Sequence, residues 1–129
     1  MRQTARQKEQ NLAHPPLVLS LKETARQARE KEDWSSVGRA AVTMMKTPQR
    51  HVALIVLRKG AVLARHRAKG AVLLHVLSGK VRLGVGDARV DVGRDHLVTL
   101  DPLVPHDVEA LAETEMLLFV AKEPAASSA

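Results

Sequence analysis

From residue 39 onward the apolar residues come in short runs: RAAVTMMK, RHVALIVLRKG, AVLARH, GAVLLHVLSG, KVRLGVGD, ARVDVG, HLVTLD, HDVEAL and EMLLFVA. Gly, Pro, Asp or Ser separates them at intervals of roughly 8 to 12 residues, the rhythm of an all-β sandwich or barrel. The clearest piece is VRLGVGDARVDVG. Val81, Leu83 and Val85 alternate with polar or small residues, Gly86–Asp87 turns the chain, and Val90 and Val92 alternate on the way back. A valine-rich helix is the competing reading, but glycines at 79, 84, 86 and 93 would each cost about 1 kcal/mol in one.

The pattern before residue 39 is different. Ser20 stands as an N-cap before LKETARQAREKE, and Glu23 follows three residues later as in a capping box. This predicts a helix over 21–32. Its apolar positions, Leu21, Ala25 and Ala28, make a narrow stripe, which suits a surface helix docked on something larger, with Trp34 as its anchor. A single helix of this kind does not make a helix-turn-helix. Four segments follow: a flexible basic arm over 1–19, a surface helix and connection over 20–38, a β-barrel over 39–123, and a disordered tail over 124–129 (PAASSA at its end).

The length of 129 residues suits one domain with one core, and 45% apolar residues can fill it. With zero cysteines there is no disulfide framework, thiolate metal site or thiol nucleophile. No apolar run approaches the roughly 18 residues of a membrane span. The opening MRQTARQKEQNLAHPP has no hydrophobic stretch of the secretory kind, so a cytoplasmic location is expected.

Charge sharpens the picture. Residues 34–69 carry eight basic and no acidic side chains, whereas residues 70–129 carry five basic against nine acidic ones. The plain explanation is that the two halves face each other within a barrel or across a dimer. The sharper one is an anionic partner, such as nucleic acid or a phosphorylated metabolite. Nucleic acid is the less favoured of these, because Trp34 and Phe119 are the only aromatic residues and single-strand binders stack bases on aromatic platforms.

His66 and His75 lie in a stretch, residues 64–81, that otherwise favours Val, Leu and Ala, and a third histidine, His106, follows Pro105 further on. Gly60 precedes Ala64-Arg65-His66, Val72 follows, and Gly79 closes the stretch; further on, Gly93-Arg94-Asp95 leads through Pro102 to Pro105–His106. Over roughly residues 55–121 this order resembles the cupin superfamily. Its first motif runs from a Gly through His-x-His and a Glu to a second Gly, and its second from a Gly through a Pro to a His. The resemblance implies a cupin-type double-stranded β-helix, a jelly-roll barrel, here with one short N-terminal helix. In metal-binding cupins three imidazoles and a carboxylate meet inside the barrel. At those positions this chain has Ala64, His66, Val72 and His106, so two of the four are apolar.

Strand parity places Ala64 on the same side as an inward His66, with Val72 facing the same space and His106 arriving from a later strand. The expected site is therefore an apolar ligand pocket lined by His66, His106, Ala64 and Val72. Two imidazoles alone could hold at most a weakly bound divalent ion, because no carboxylate compensates its charge in an aliphatic cavity. The cofactor expectation is accordingly none, or such an ion on His66 and His106. The function expected is binding or sensing of a small molecule. The alternative is a metal-dependent enzyme of dioxygenase, isomerase or epimerase type, and a third reading is contact with nucleic acid through the basic half.

His75, three residues beyond Val72, should face the opposite side. His51 and His96 should sit solvated at strand edges, and His14 lies in the arm. Asp107 and Glu109 should face away from His106 and cannot easily orient it as a base. LGVGDARVDVG is a hairpin and not a phosphate-binding strand-to-helix turn. A homodimer is expected, with RAAVTMMK and RHVALIVLRKG adding to a neighbour's sheet.

Overall fold

The computed structural model describes residues 15–123; the expected arm up to residue 14, with His14, and the expected tail over 124–129 lie outside the described residues. Two helices, α1 (Leu21–Arg29) and α2 (Glu32–Val37), precede nine strands. The strands are β1 (Arg39–Lys46), β2 (Arg50–Leu57), β3 (Val62–His66), β4 (Ala71–Ser78), β5 (Lys80–Val85), β6 (Ala88–Gly93), β7 (Leu97–Leu100), β8 (His106–Ala110) and β9 (Thr114–Ala121). They form a five-stranded sheet of order β1-β2-β9-β4-β7 and a four-stranded sheet of order β3-β8-β5-β6, with antiparallel pairing throughout. This is the all-β jelly-roll barrel expected from the sequence.

The core lies between the two sheets. Ile55, Leu57, Val72, Leu74, Val76 and Met116 from the larger sheet meet Val81, Leu83, Val92, Val108 and Ala110 from the smaller one. Residues 53–57 are buried without alternation, although a strand has two faces. Ile55 and Leu57 face the barrel, whereas Leu54 and Val56 face outward into a second cluster with Ala25 and Ala28 of α1 and the half-buried Trp34. The helices thus cover part of the outer face of the larger sheet.

The N-terminal helical region departs from the sequence expectation in two ways. The Ser20 hydroxyl does accept from the Glu23 amide at 3.0 Å, as an N-cap should. The helix nevertheless ends at Arg29, and residues 32–37 wind separately as α2, ended by Gly38. Leu21 is exposed, and Thr24 takes its place on the buried face, donating its hydroxyl to the Ser20 carbonyl at 2.8 Å. Glu23 does not complete the capping box; its carboxylate pairs with Arg26, which holds it below the usual carboxylate range.

Two glycines shape the barrel. Gly86 (φ 58) and Asp87 form the two-residue turn between β5 and β6, as the hairpin pattern predicts. Val90, across from Leu83, is 48% exposed because β6 lies at the free edge of its sheet. Gly79 (φ 89) is the single residue by which the chain passes from one sheet to the other between β4 and β5. A Cβ there would lie 2.2 Å from the Glu113 carbonyl oxygen and 2.5 Å from Thr114 Oγ1. Thr114 is fully buried and ties this corner, accepting from the Lys80 amide at 3.1 Å and donating to the Ala112 carbonyl at 2.9 Å. Among the described residues no helix is long and apolar enough to cross a membrane.

Candidate functional site

Strand direction gathers one set of connections at one end of the barrel: the β1–β2 turn, the β3–β4 loop, the β5–β6 turn and the β7–β8 loop. His66 ends β3 and His106 begins β8, and the two are register partners. Their ring centroids lie 4.4 Å apart with the planes tilted by 59°. His106 is buried, at 3% exposure, and His66 is exposed, so the pair runs from the barrel interior to its mouth.

Each ring is held by its own strand. His66 Nδ1 donates to the Ala64 carbonyl at 2.8 Å, and His106 Nδ1 donates to the Val104 carbonyl at 3.0 Å. A carbonyl only accepts, so the proton of each neutral ring sits on Nδ1 and the lone pair on Nε2. Both imidazoles therefore offer an Nε2 acceptor from a ring fixed by the main chain. Such a pair can accept hydrogen bonds from a ligand or donate lone pairs to a cation.

The sequence expectation for Ala64 is not met. In the β3–β8 ladder Leu63 pairs with Val108 and His66 with His106, so Ala64 and Arg65 together stand opposite the single residue Asp107. This bulge resets the side-chain alternation. Leu63 packs against the core, while Ala64 is exposed and enters the site through its carbonyl. Val72 is inward as expected, 3% exposed and packed in the aliphatic core. Asp107 faces away from His106 and instead binds the Arg65 guanidinium at 3.0 Å, with Arg89 at 3.6 Å. The orienting group of His106 is thus a main-chain carbonyl, not a carboxylate.

The donor set does not fit a resident metal of the four-ligand kind. The carboxylate position is the buried, aliphatic Val72, and among the described residues no group of three His, Asp or Glu is gathered about one point. The remaining histidines lie elsewhere. His75 is half-buried, paired with Leu97 and Leu117 on strands of the larger sheet. His96 is exposed, with Nδ1 donating to the Arg94 carbonyl at 2.9 Å. His51 is partly exposed near the start of β2, with Nε2 3.4 Å from Thr43 Oγ1.

Sequence reasoning missed a second feature at the same end. Lys46, Thr47, Arg50 and His51 of the β1–β2 hairpin, Ala68 and Lys69 of the β3–β4 loop, and Val120 and Lys122 at the end of β9 line a cavity of about 260 Å³. The signal was present as a charge run, but its convergence depends on which loops share an end. The β7–β8 loop flanks this mouth in a strained form: Leu103 has φ 67 and its amide donates to the Ala68 carbonyl at 2.8 Å.

Comparison with known proteins agrees with this architecture. Residues 53–122 match the cupin domain family. No curated protein matches the chain in sequence. A conserved protein of unknown function from Streptococcus pyogenes superposes with a TM-score of 0.71 at 21% identity, over 88% of this chain and 93% of the other. A cupin 2 conserved barrel domain protein from Leptotrichia buccalis gives 0.66 at 24% identity, over 76% of this chain and 46% of the other. Salicylate 1,2-dioxygenase from Pseudoaminobacter salicylatoxidans, in its adduct with gentisate, gives 0.70 at 16% identity, over 80% of this chain and 32% of the other. At these identities the structural likeness speaks for the fold, and together with the family match over more than half its length it makes this chain a member of the cupin superfamily.

Proposed function

We propose that the protein is a small-molecule-binding or sensing cupin whose polar recognition groups are His66 and His106 at the barrel mouth. The observation that carries this reading is the pair itself: two adjacent rings with Nδ1 committed to main-chain carbonyls and Nε2 left as acceptors. Pockets of this type combine an apolar wall with a few fixed polar groups. Here Val108, two residues along β8 from His106, belongs with Val72 to one aliphatic core, and Ala64 contributes its carbonyl alone.

The second reading is a metal-dependent enzyme with a reduced two-histidine site. It is favoured by the same free Nε2 atoms, since imidazole lone pairs are metal donors. It is disfavoured by the aliphatic residue at the carboxylate position. Metal analysis of protein purified without a histidine tag separates the two readings, comparing the native chain with His66→Ala and His106→Ala. The expected result is iron, manganese, nickel and zinc all far below one per chain and unchanged in the variants. Near-stoichiometric metal lost in both variants would overturn the binding reading in favour of the enzyme.

A further inference from the structure

We infer that the cavity between the β1–β2 hairpin, the β3–β4 loop and the end of β9 is an anion-binding site, and that the ligand of this barrel is a small molecule carrying two or more negative charges. The inference rests on the reading of the barrel mouth as a ligand site and adds the chemical class of the ligand.

Among the described residues the basic charge of residues 34–69 is largely unmatched by carboxylates. If the basic and acidic halves of the chain simply neutralised each other, the eight cations of residues 34–69 would have carboxylate partners. Among the described residues only Arg65 of the eight has one within ion-pair distance, Asp107 at 3.0 Å. The other ion pairs use arginines outside that segment: Arg26, Arg29, Arg82, Arg89 and Arg94.

Three of the unmatched cations then converge. Lys46, Arg50 and Lys69, joined by Lys122 from the far end of the chain, line one cavity of about 260 Å³ that has no carboxylate in its wall. Of the acidic residues at this end, Asp107 is engaged by Arg65 and Arg89, Asp101 lines a different groove with Leu73 and Phe119, and the exposed Asp87 and Glu123 are not among the residues that line the cavity. Cations of one sign around a concavity with an aliphatic floor, here Ala68 and Val120, focus their field on whatever enters.

The frame is fixed by main-chain bonds. The Thr47 hydroxyl accepts from the Arg50 amide at 3.0 Å, the Thr47 amide donates to the Arg50 carbonyl at 2.7 Å, and the Lys122 amide donates to the Gln49 carbonyl at 2.7 Å. Thr47 also lines the cavity, and no hydrogen bond among the described residues uses its hydroxyl proton. Ammonium, guanidinium and hydroxyl donors on a fixed frame suit phosphoryl or clustered carboxylate oxygens. The cavity's size suits a small molecule, and the chain lacks the aromatic platform a nucleic acid strand would stack on.

Titration of ¹⁵N-labelled protein with glucose 6-phosphate, citrate, glucose and a short single-stranded DNA tests the proposal. The phosphate and carboxylate probes tell the two anion sources apart. Saturable binding of glucose 6-phosphate or citrate, with no response to glucose, is expected. Joint Lys46→Gln, Lys69→Gln and Lys122→Gln substitution should weaken it about tenfold or more. Joint Lys22→Gln, Lys59→Gln and Lys80→Gln substitution, which removes the same charge away from the cavity, should leave it within about twofold.

The proposal is overturned if neither anion saturates, if both variants weaken binding equally, or if only DNA binds, with a steep salt dependence. The histidine reading is scored separately in the same spectra. Unmoved His66 and His106 ring signals, with the lysine effect intact, would uphold the anion site and remove the histidines from it. Moved rings with no lysine effect would overturn the anion site and keep the histidines.

Discussion

Ala64 and His66 are two apart in sequence, yet only His66 faces the site, because one extra residue in β3 shifts the alternation between them. Parity arguments read from sequence assume an unbroken ladder, and a bulge leaves no mark in a run such as AVLARH. By contrast His106 and Val72 were legible, since both lie in strands whose inward alternation is intact around them. Gly79 was legible as a turn, but its reason is the approach of the Glu113 carbonyl, a contact from a segment 34 residues away. Substituting Gly79→Ala adds both an unfavourable φ and an overlap with backbone, so it should lower the free energy of unfolding by about 3 kcal/mol in urea denaturation. A loss under about 1 kcal/mol would mean that the corner relaxes and that Gly79 does not fix the passage between sheets.

At the scale of elements, strand and turn positions followed the periodicity closely, while the helical region did not. LKETARQAREKE has helical composition to its end, but Lys31 sits extended at the head of a new turn and α2 begins at Glu32. The break brings Trp34 onto the outer sheet face, where the Arg58 guanidinium lies 4.8 Å and that of Arg29 5.3 Å from its ring centroid. Arg29 in turn binds Glu113 at 2.8 Å and Glu115 at 2.6 Å, joining the helix to the start of β9. Trp34 is thus the packing anchor of the helical region. Trp34→Ala should cost about 2 kcal/mol of stability, whereas Leu21→Ala, at an exposed position, should change it by less than about 0.5 kcal/mol. Equal effects of the two in parallel melts would contradict this account of how the helices dock.

At the scale of the whole molecule, the basic run of residues 34–69 was visible in the sequence, but its disposition was not. Pairing of the two halves was the plainer expectation, and it holds at Arg65–Asp107. Strand direction sends Lys46, Arg50 and Lys69 to the end of the barrel that also holds the histidine pair. A homodimer remains our proposal for assembly. β1 is an eight-residue edge strand continuous with the apolar outer face of the larger sheet, and such edges are covered in stable proteins. Light scattering should give twice the 14.1 kDa chain mass, and a monomer at micromolar concentration would remove the proposal.

The account stands on the state of two rings at the barrel mouth. The most direct measurement is a long-range ¹H–¹⁵N spectrum of the histidine side chains, assigned with His66→Ala and His106→Ala, at a pH where both rings are neutral. The account predicts that His66 and His106 each carry their proton on Nδ1, bound to the Ala64 and Val104 carbonyls, with an unprotonated Nε2. A proton on Nε2 of either ring would mean that the acceptor pair does not exist, and it would contradict the proposed recognition site.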